Sequence, residues 1–213
     1  MTITSNPYKI LPISPNAHLR VGILGGTFNP AHEGHRYISL EAIKRFKLDL
    51  VIWFVTPQNP LKAKTLADTL KDRLAAARQV ANHPKILVTD YEANLSDTYT
   101  ISLVKRLLGM YKNIEFAYII GADNMVQLPK WYKWQEIIKS VPIIIFDRED
   151  YHKWLVSSKI KSNFNGGCIK PTHKGKLAQY PWYFVKLRRN SQSSTNIRNE
   201  QELRQKQKFK HQT

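Results

Sequence analysis

In the string GGTFNPAHEGH, residues 25–35, two glycines directly follow an apolar run, and two histidines, His32 and His35, stand three residues apart. Gly25 and Gly26 have no Cβ, so the backbone there can turn sharply and come close to a ligand. The backbone N–H groups of that turn, and of the first turn of a helix following Pro30, would point at an anion. A separation of three puts both imidazoles on one face of the helix start. Two imidazoles beside N–H donors make a pocket for phosphate. Helix capping or core filling is the competing reading of the same pair. Other chemistries fit the string less well. A P-loop requires a Gly-Lys-Ser/Thr ending and the dinucleotide fingerprint requires G-x-G-x-x-G, and neither is present. A zincin spaces its histidines at i and i+4 with a third ligand, whereas HEGH spaces them at i+3, so no protein metal ligands are assigned.

Such a pocket needs elements to hold it. Short apolar, β-branched runs recur at 21–24, 50–55, 86–89, 116–120, 143–146 and 183–187, each of the length of a buried strand. Helical patterns separate most of them: 34–46 with Ile38, Ala42, Ile43 and Phe46, 68–82 with Leu70, Leu74, Ala77 and Ala81, and 100–108. Strands that alternate with helices imply an α/β fold, a doubly wound parallel sheet covered on both faces. Its core is expected to include Leu24, Ile52, Phe54, Ile119 and Ile144. In such sheets ligands sit beyond the carboxyl ends of the strands, where strand order reverses, and the 25–35 string lies at such an end.

Composition bounds the rest. The chain has 213 residues, 42% of them hydrophobic, enough for one domain with an ordinary core. Residues 1–19 read as an irregular lead-in, 20–200 as a single domain, and 201–213 as a basic tail expected to be disordered. Residues 151–180 are polar and basic and break the strand–helix rhythm. No apolar run is long enough for a membrane helix, and the first twenty residues lack signal-peptide character. With a single cysteine, Cys168, no internal disulfide forms, and a cytoplasmic location is expected. The net charge is +17, and 151–213 hold fourteen Lys or Arg against two Glu. That field attracts anions. No nucleic-acid recognition motif accompanies it, so nucleic acid is not an expected partner. Assembly into a homo-oligomer is compatible with the sequence.

The 25–35 string resembles the first signature of the nucleotidyltransferase superfamily, H-x-G-H at the start of the first helix. It is closer still to G-G-T-F-D-P-x-H-x-G-H of the bacterial nicotinate-nucleotide adenylyltransferases, with Asn29 where aspartate is commoner. SSTNIR, residues 193–198, resembles the second signature, I-S-S-T-x-I-R. GADNMVQLPKW (121–131), TPQNPLK (56–62) and TYT (98–100) are similar to further segments of the family, in the right order.

The resemblance implies a Rossmann-like nucleotidyltransferase fold for residues 20–200. It implies transfer of AMP from ATP, with Mg2+, to nicotinate mononucleotide, forming deamido-NAD and pyrophosphate in NAD biosynthesis. His32 and His35 would act on the α-phosphate. Gly25, Gly26, Thr27 and Phe28 would offer backbone to ATP, Asp123 would meet a ribose, and Ser194, Thr195 and Arg198 would hold the outer phosphates. Trp131 would stack on the pyridine ring, with the backbone of Tyr99 and Thr100 on its carboxylate, while Asn59, Lys62 and Arg148 would meet phosphate or ribose. Tyr132 and Trp134 are expected to be packing residues. Alternatives are adenylylation of another phosphate monoester, such as nicotinamide mononucleotide or phosphopantetheine, and a basic nucleic-acid-binding protein on the same fold.

Overall fold

Six parallel strands form one sheet in the order β3-β2-β1-β4-β5-β6: β1 (Arg20–Gly26), β2 (Leu50–Val55), β3 (Ile86–Thr89), β4 (Glu115–Gly121), β5 (Ile143–Asp147) and β6 (Trp182–Lys186). The computed structural model describes residues 11, 13–14, 16–57, 69–125, 127–147 and 176–187. The expected α/β architecture is thus present, and its strand order places the reversal between β1 and β4.

Period-two alternation assigns each strand's side chains to opposite faces. Val21 and Ile23 of β1, Ile52 and Phe54 of β2, Phe116 and Ile120 of β4, and Ile143 and Ile145 of β5 belong to one core. Leu24, Val51, Trp53, Ile119, Ile144 and Phe146 belong to the other. Helices α1 (Glu33–Phe46) and α2 (Leu70–Ala81) cover the second core through Ile38, Ala42, Phe46, Leu74, Ala77 and Ala81. Helix α3 (Thr100–Met110), the single turn α4 (Ala122–Met125) and α5 (Trp134–Ser140) cover the first through Ile101, Val104, Leu107, Met125 and Ile137. Burying a side chain such as Ile38 or Leu107 contributes about 1.5–3 kcal/mol, so each helix is held by its stripe. All five expected core residues, Leu24, Ile52, Phe54, Ile119 and Ile144, are buried.

The strand runs read from the sequence hold, with shifts at the ends. β1 and β4 extend to Arg20 and Glu115, and β5 reaches Asp147, because ladder hydrogen bonds join backbones whatever side chain follows. The end of β1 carries a correction: Gly25 and Gly26 are paired with Phe54 and Val55 inside the strand and do not form the turn. The turn comes later, at Phe28, whose φ of 46° is left-handed, and at the cis Asn29–Pro30 bond. The lead-in is anchored: Leu11 is buried, and its N–H donates to the Tyr111 hydroxyl at 2.9 Å. The SSTNIR segment and the tail lie outside the described residues, as do Cys168 and most of 151–180.

Candidate active site

β1 is paired with β4 only as far as Ile23 and Tyr118, whereas its pairing with β2 runs on to Gly26 and Val55. Beyond Ile23 the two central strands part, which opens the crevice where ligands of such sheets bind. The loop after β1 lines one side and the segment after β4 the other.

The β1 loop is built by its own residues. Phe28 occupies a conformation that costs a non-glycine residue about 1–3 kcal/mol. Its buried ring offsets that by stacking on Trp53, centroids 5.0 Å apart and planes 14° apart. His32 is the N-cap of α1, with extended backbone. Its Nδ1 accepts the Gly34 N–H at 3.0 Å, and the Nδ1 of His35 accepts the His32 N–H at 3.2 Å. This is a reciprocal capping box with imidazoles in place of the usual hydroxyl and carboxylate. Helix capping, the rival reading of the pair, is therefore a structural fact, but it leaves phosphate chemistry open. A neutral imidazole whose Nδ1 accepts a backbone N–H must carry its proton on Nε2, so capping fixes both rings in the Nε2–H tautomer. The ring centroids are 3.8 Å apart. His35 is backed by Phe28 at 4.8 Å and Trp53 at 5.9 Å, and the Trp53 indole N–H donates to Ser39 Oγ, which in turn donates to the His35 carbonyl.

Gly25 has a purpose that the sequence does not disclose. A Cβ there would lie 2.6 Å from the Tyr118 hydroxyl, whereas one on Gly26 would meet only ordinary contact with Phe28 at 3.5 Å. Tyr118, on β4, ties the site together. Its hydroxyl is hydrogen-bonded to the backbone of Gly25 and to the side chain of Thr100, and its ring makes an edge-to-face contact with Trp131 at 6.0 Å. Burial, with the charge of Glu92 adding to it, pushes the phenol far above its usual range. It remains a neutral hydroxyl.

Three stretches named from the sequence thus converge on Tyr118: Gly25, Thr100 at the start of α3, and the half-buried Trp131. Asp123 is exposed in the first turn of α4, one residue past the helix start and so not its N-cap. The Tyr99 N–H already donates to Asp97 Oδ1 at 2.9 Å, so a ligand carboxylate taking that N–H must displace Asp97. Tyr132 departs from its expected packing role: it is 52% exposed and lies against the exposed Tyr99, centroids 4.5 Å apart, while Trp134 does pack on the core. Asn59, Lys62, Arg148, Ser194, Thr195 and Arg198 lie outside the described residues.

Among the buried charged residues that sequence reading missed, Arg73 and Glu92 lie beside the loops of the site. Arg73, 2% exposed, donates from Nη1 to the carbonyls of Thr27 (2.6 Å) and Thr56 (2.9 Å), and from Nη2 to that of Pro57 (2.9 Å). The available signal was its register: 73, 77 and 81 share one face of α2, so an arginine stands in an otherwise apolar stripe. Glu92 follows β3 in a short 3-10 turn, hydrogen-bonded to the Thr56 side chain, and burial pushes its carboxyl up to about 7. Among the described residues no three of His, Cys, Asp or Glu gather as a metal cluster, and no helix is long and apolar enough to cross a membrane.

The family model for cytidylyltransferase-like proteins matches residues 23–200. A protein of Rhizobium etli described as a "probable nicotinate-nucleotide adenylyltransferase" is 40% identical over 182 residues, 84% of this chain and 95% of the relative. One of Rhizobium johnstonii with the same description is 38% identical over 182 residues, 84% of this chain and 92% of the relative. The solved structure of Plasmodium falciparum nicotinic acid mononucleotide adenylyltransferase complexed with NaAD superposes with a TM-score of 0.64 over 85% of this chain and 83% of that one, at 18% identity, which is a likeness of fold. The HxGH pair thus sits at the strand reversal of a sheet that this enzyme also shares, and the chain belongs to the cytidylyltransferase-like family and, within it, to the nicotinate-nucleotide adenylyltransferases.

Proposed function

We propose that the protein transfers AMP from ATP to nicotinate mononucleotide, forming deamido-NAD and pyrophosphate. The observation that carries this reading is the reciprocal cap of His32 and His35, which fixes two imidazoles in the Nε2–H form at the carboxyl edge of the sheet. An oxygen of the mononucleotide phosphate attacks the α-phosphorus of ATP. The bond from that phosphorus to the oxygen bridging it to the β-phosphate breaks, and pyrophosphate leaves with the electron pair. The attacking oxygen is already an anion, so no strong base is required; the chain's part is alignment and neutralisation of charge. His32 and His35 meet the developing charge on the α-phosphate. Backbone from Gly25 to Phe28 lines the ATP side, with the conformational turn supplied by Phe28.

Across the crevice, Asp123 accepts from ribose hydroxyls and Trp131 stacks on the pyridine ring, with Tyr99 and Thr100 at its carboxylate. Ser194, Thr195 and Arg198 complete the outer-phosphate contacts, and Asn59, Lys62 and Arg148 those of the second substrate. Magnesium carried on the ATP phosphates would neutralise part of their charge. The domain spans 20–200, and the protein acts in the cytoplasm.

Pyrophosphate release from Mg-ATP, with nicotinate mononucleotide, nicotinamide mononucleotide and phosphopantetheine offered separately, tests the reading. Release strongly favouring nicotinate mononucleotide is expected. Release with another acceptor alone reassigns the second substrate, and release with none rejects the activity.

A further inference from the structure

We propose that Arg73 is a positioning residue for this reaction, holding the turn that carries ATP against the loop that carries the second substrate. The inference rests on the activity proposed above.

The two loops leave the sheet side by side. β1 and β2 are in register to Gly26 and Val55, and a last backbone bond runs from the Thr56 N–H to the Gly26 carbonyl at 2.9 Å. Among the described residues the ladder between these two strands goes no further. Thr27 begins the path to the histidine pair, and Thr56 and Pro57 begin the loop toward Asn59 and Lys62. Their three carbonyls converge on one guanidinium. A planar fork of donors serves three acceptors at once, which an ammonium on a flexible stem does not reproduce. Thr56 is held twice, its carbonyl by Arg73 and its side chain by Glu92.

The placement argues against a purely packing role. Arg73 shares the α2 stripe with Ala77 and Ala81, where an apolar residue would avoid the burial of a charge. What the arginine adds is a fixed distance between two loops, and a reaction between two bound substrates is sensitive to that distance: misplacement by about 1 Å can cost about 10²-fold.

The test uses the full chain, Arg73→Met and Arg73→Lys, with kcat and both KM values from pyrophosphate release, assayed well below each variant's measured melting midpoint. Arg73→Met is expected to lower kcat by about 10²-fold. Arg73→Lys, which keeps the charge but loses the fork, is expected to lower it by at least about 10-fold, with both KM values within about 3-fold of wild type. A kcat within about 2-fold of wild type in Arg73→Lys, with only the melting midpoint reduced, overturns the proposal, as does a loss that lies wholly in one KM. If Arg73→Met fails to fold, Arg73→Lys alone decides. Wild type inactive with every mononucleotide rejects the activity and the positioning role together; wild type active with Arg73→Lys unimpaired rejects the positioning role alone.

Discussion

His35 has a capping role and a proposed catalytic one, and substitution can separate them. Its Nδ1 caps α1, and its ring, tilted by 39° against that of His32, is one of the two proposed to meet the α-phosphate. His35→Ala is expected to lose both, about 1 kcal/mol of cap and about 10² in kcat. His35→Gln retains an N3 acceptor for the cap, so its melting midpoint should stay near wild type while turnover falls as far as in the alanine variant. Equal turnover in His35→Gln and wild type would rule out a catalytic ring. Gly25 gives a steric prediction of the same kind. Gly25→Ala drives a methyl against the Tyr118 hydroxyl and should cost about 1–3 kcal/mol, whereas Gly26→Ala should stay within about 0.5 kcal/mol. Adding Tyr118→Phe removes the obstructing oxygen, and denaturation of the double variant should show recovery; a strictly additive double variant would refute the contact. At this scale the sequence was half legible. The histidine pair at a helix start was legible because its spacing is local, whereas the turn expected at the double glycine falls at Phe28 and Asn29–Pro30. The reason for Gly25 was hidden because its obstacle, Tyr118, comes from a distant strand.

Between elements, Glu92 joins the turn after β3 to Thr56 at the end of β2 and lies close enough to Tyr118 of β4 for its charge to be felt there. Burial raises its carboxyl to about 7 from an ordinary 4.5. Within that window the unfolded chain has released a proton that the native chain retains, so native stability is full below the lower value and is lost as pH rises through the upper one. The shift corresponds to roughly 3 kcal/mol at most. Glu92→Gln removes the titration: compared by urea denaturation, it should match or trail wild type near pH 5 and gain on it by about 2–3 kcal/mol near pH 8. Parallel stabilities at the two pH values would contradict the assignment. The strands and α1 to α3 were legible because buried parallel strands are near-continuous apolar runs and these helices repeat apolar residues at helical spacing, whereas the short α4 and α5 were not read from the sequence. Arg73 and Glu92 were not, since pattern reading assigns charged side chains to the surface, and these two are buried against partners from other elements.

For the whole molecule, the parallel α/β class followed from the alternation of elements, while the order β3-β2-β1-β4-β5-β6 did not, because side-chain pattern says which strands are buried and not which are neighbours. A net charge of +17 on a chain whose substrates are anions carries a prediction at this scale: kcat/KM should fall several-fold between about 0.02 and 0.3 M salt, with kcat nearly constant. A salt-independent kcat/KM would show that the field does not assist capture. The seam between β1 and β4 has a consequence for how the chain is made. Val21 pairs with Leu50 but also with Phe116, so on a ribosome the strands β1, β2 and β3 emerge and pair while the other side of β1 still awaits its partner. During that interval the growing chain presents an apolar strand edge, Val21 and Ile23 included, of the sort that chaperones shield and aggregates recruit. Synthesis of β4 ends that exposure and, by delivering Tyr118 to Gly25, joins the two central strands at the floor of the crevice in the same step.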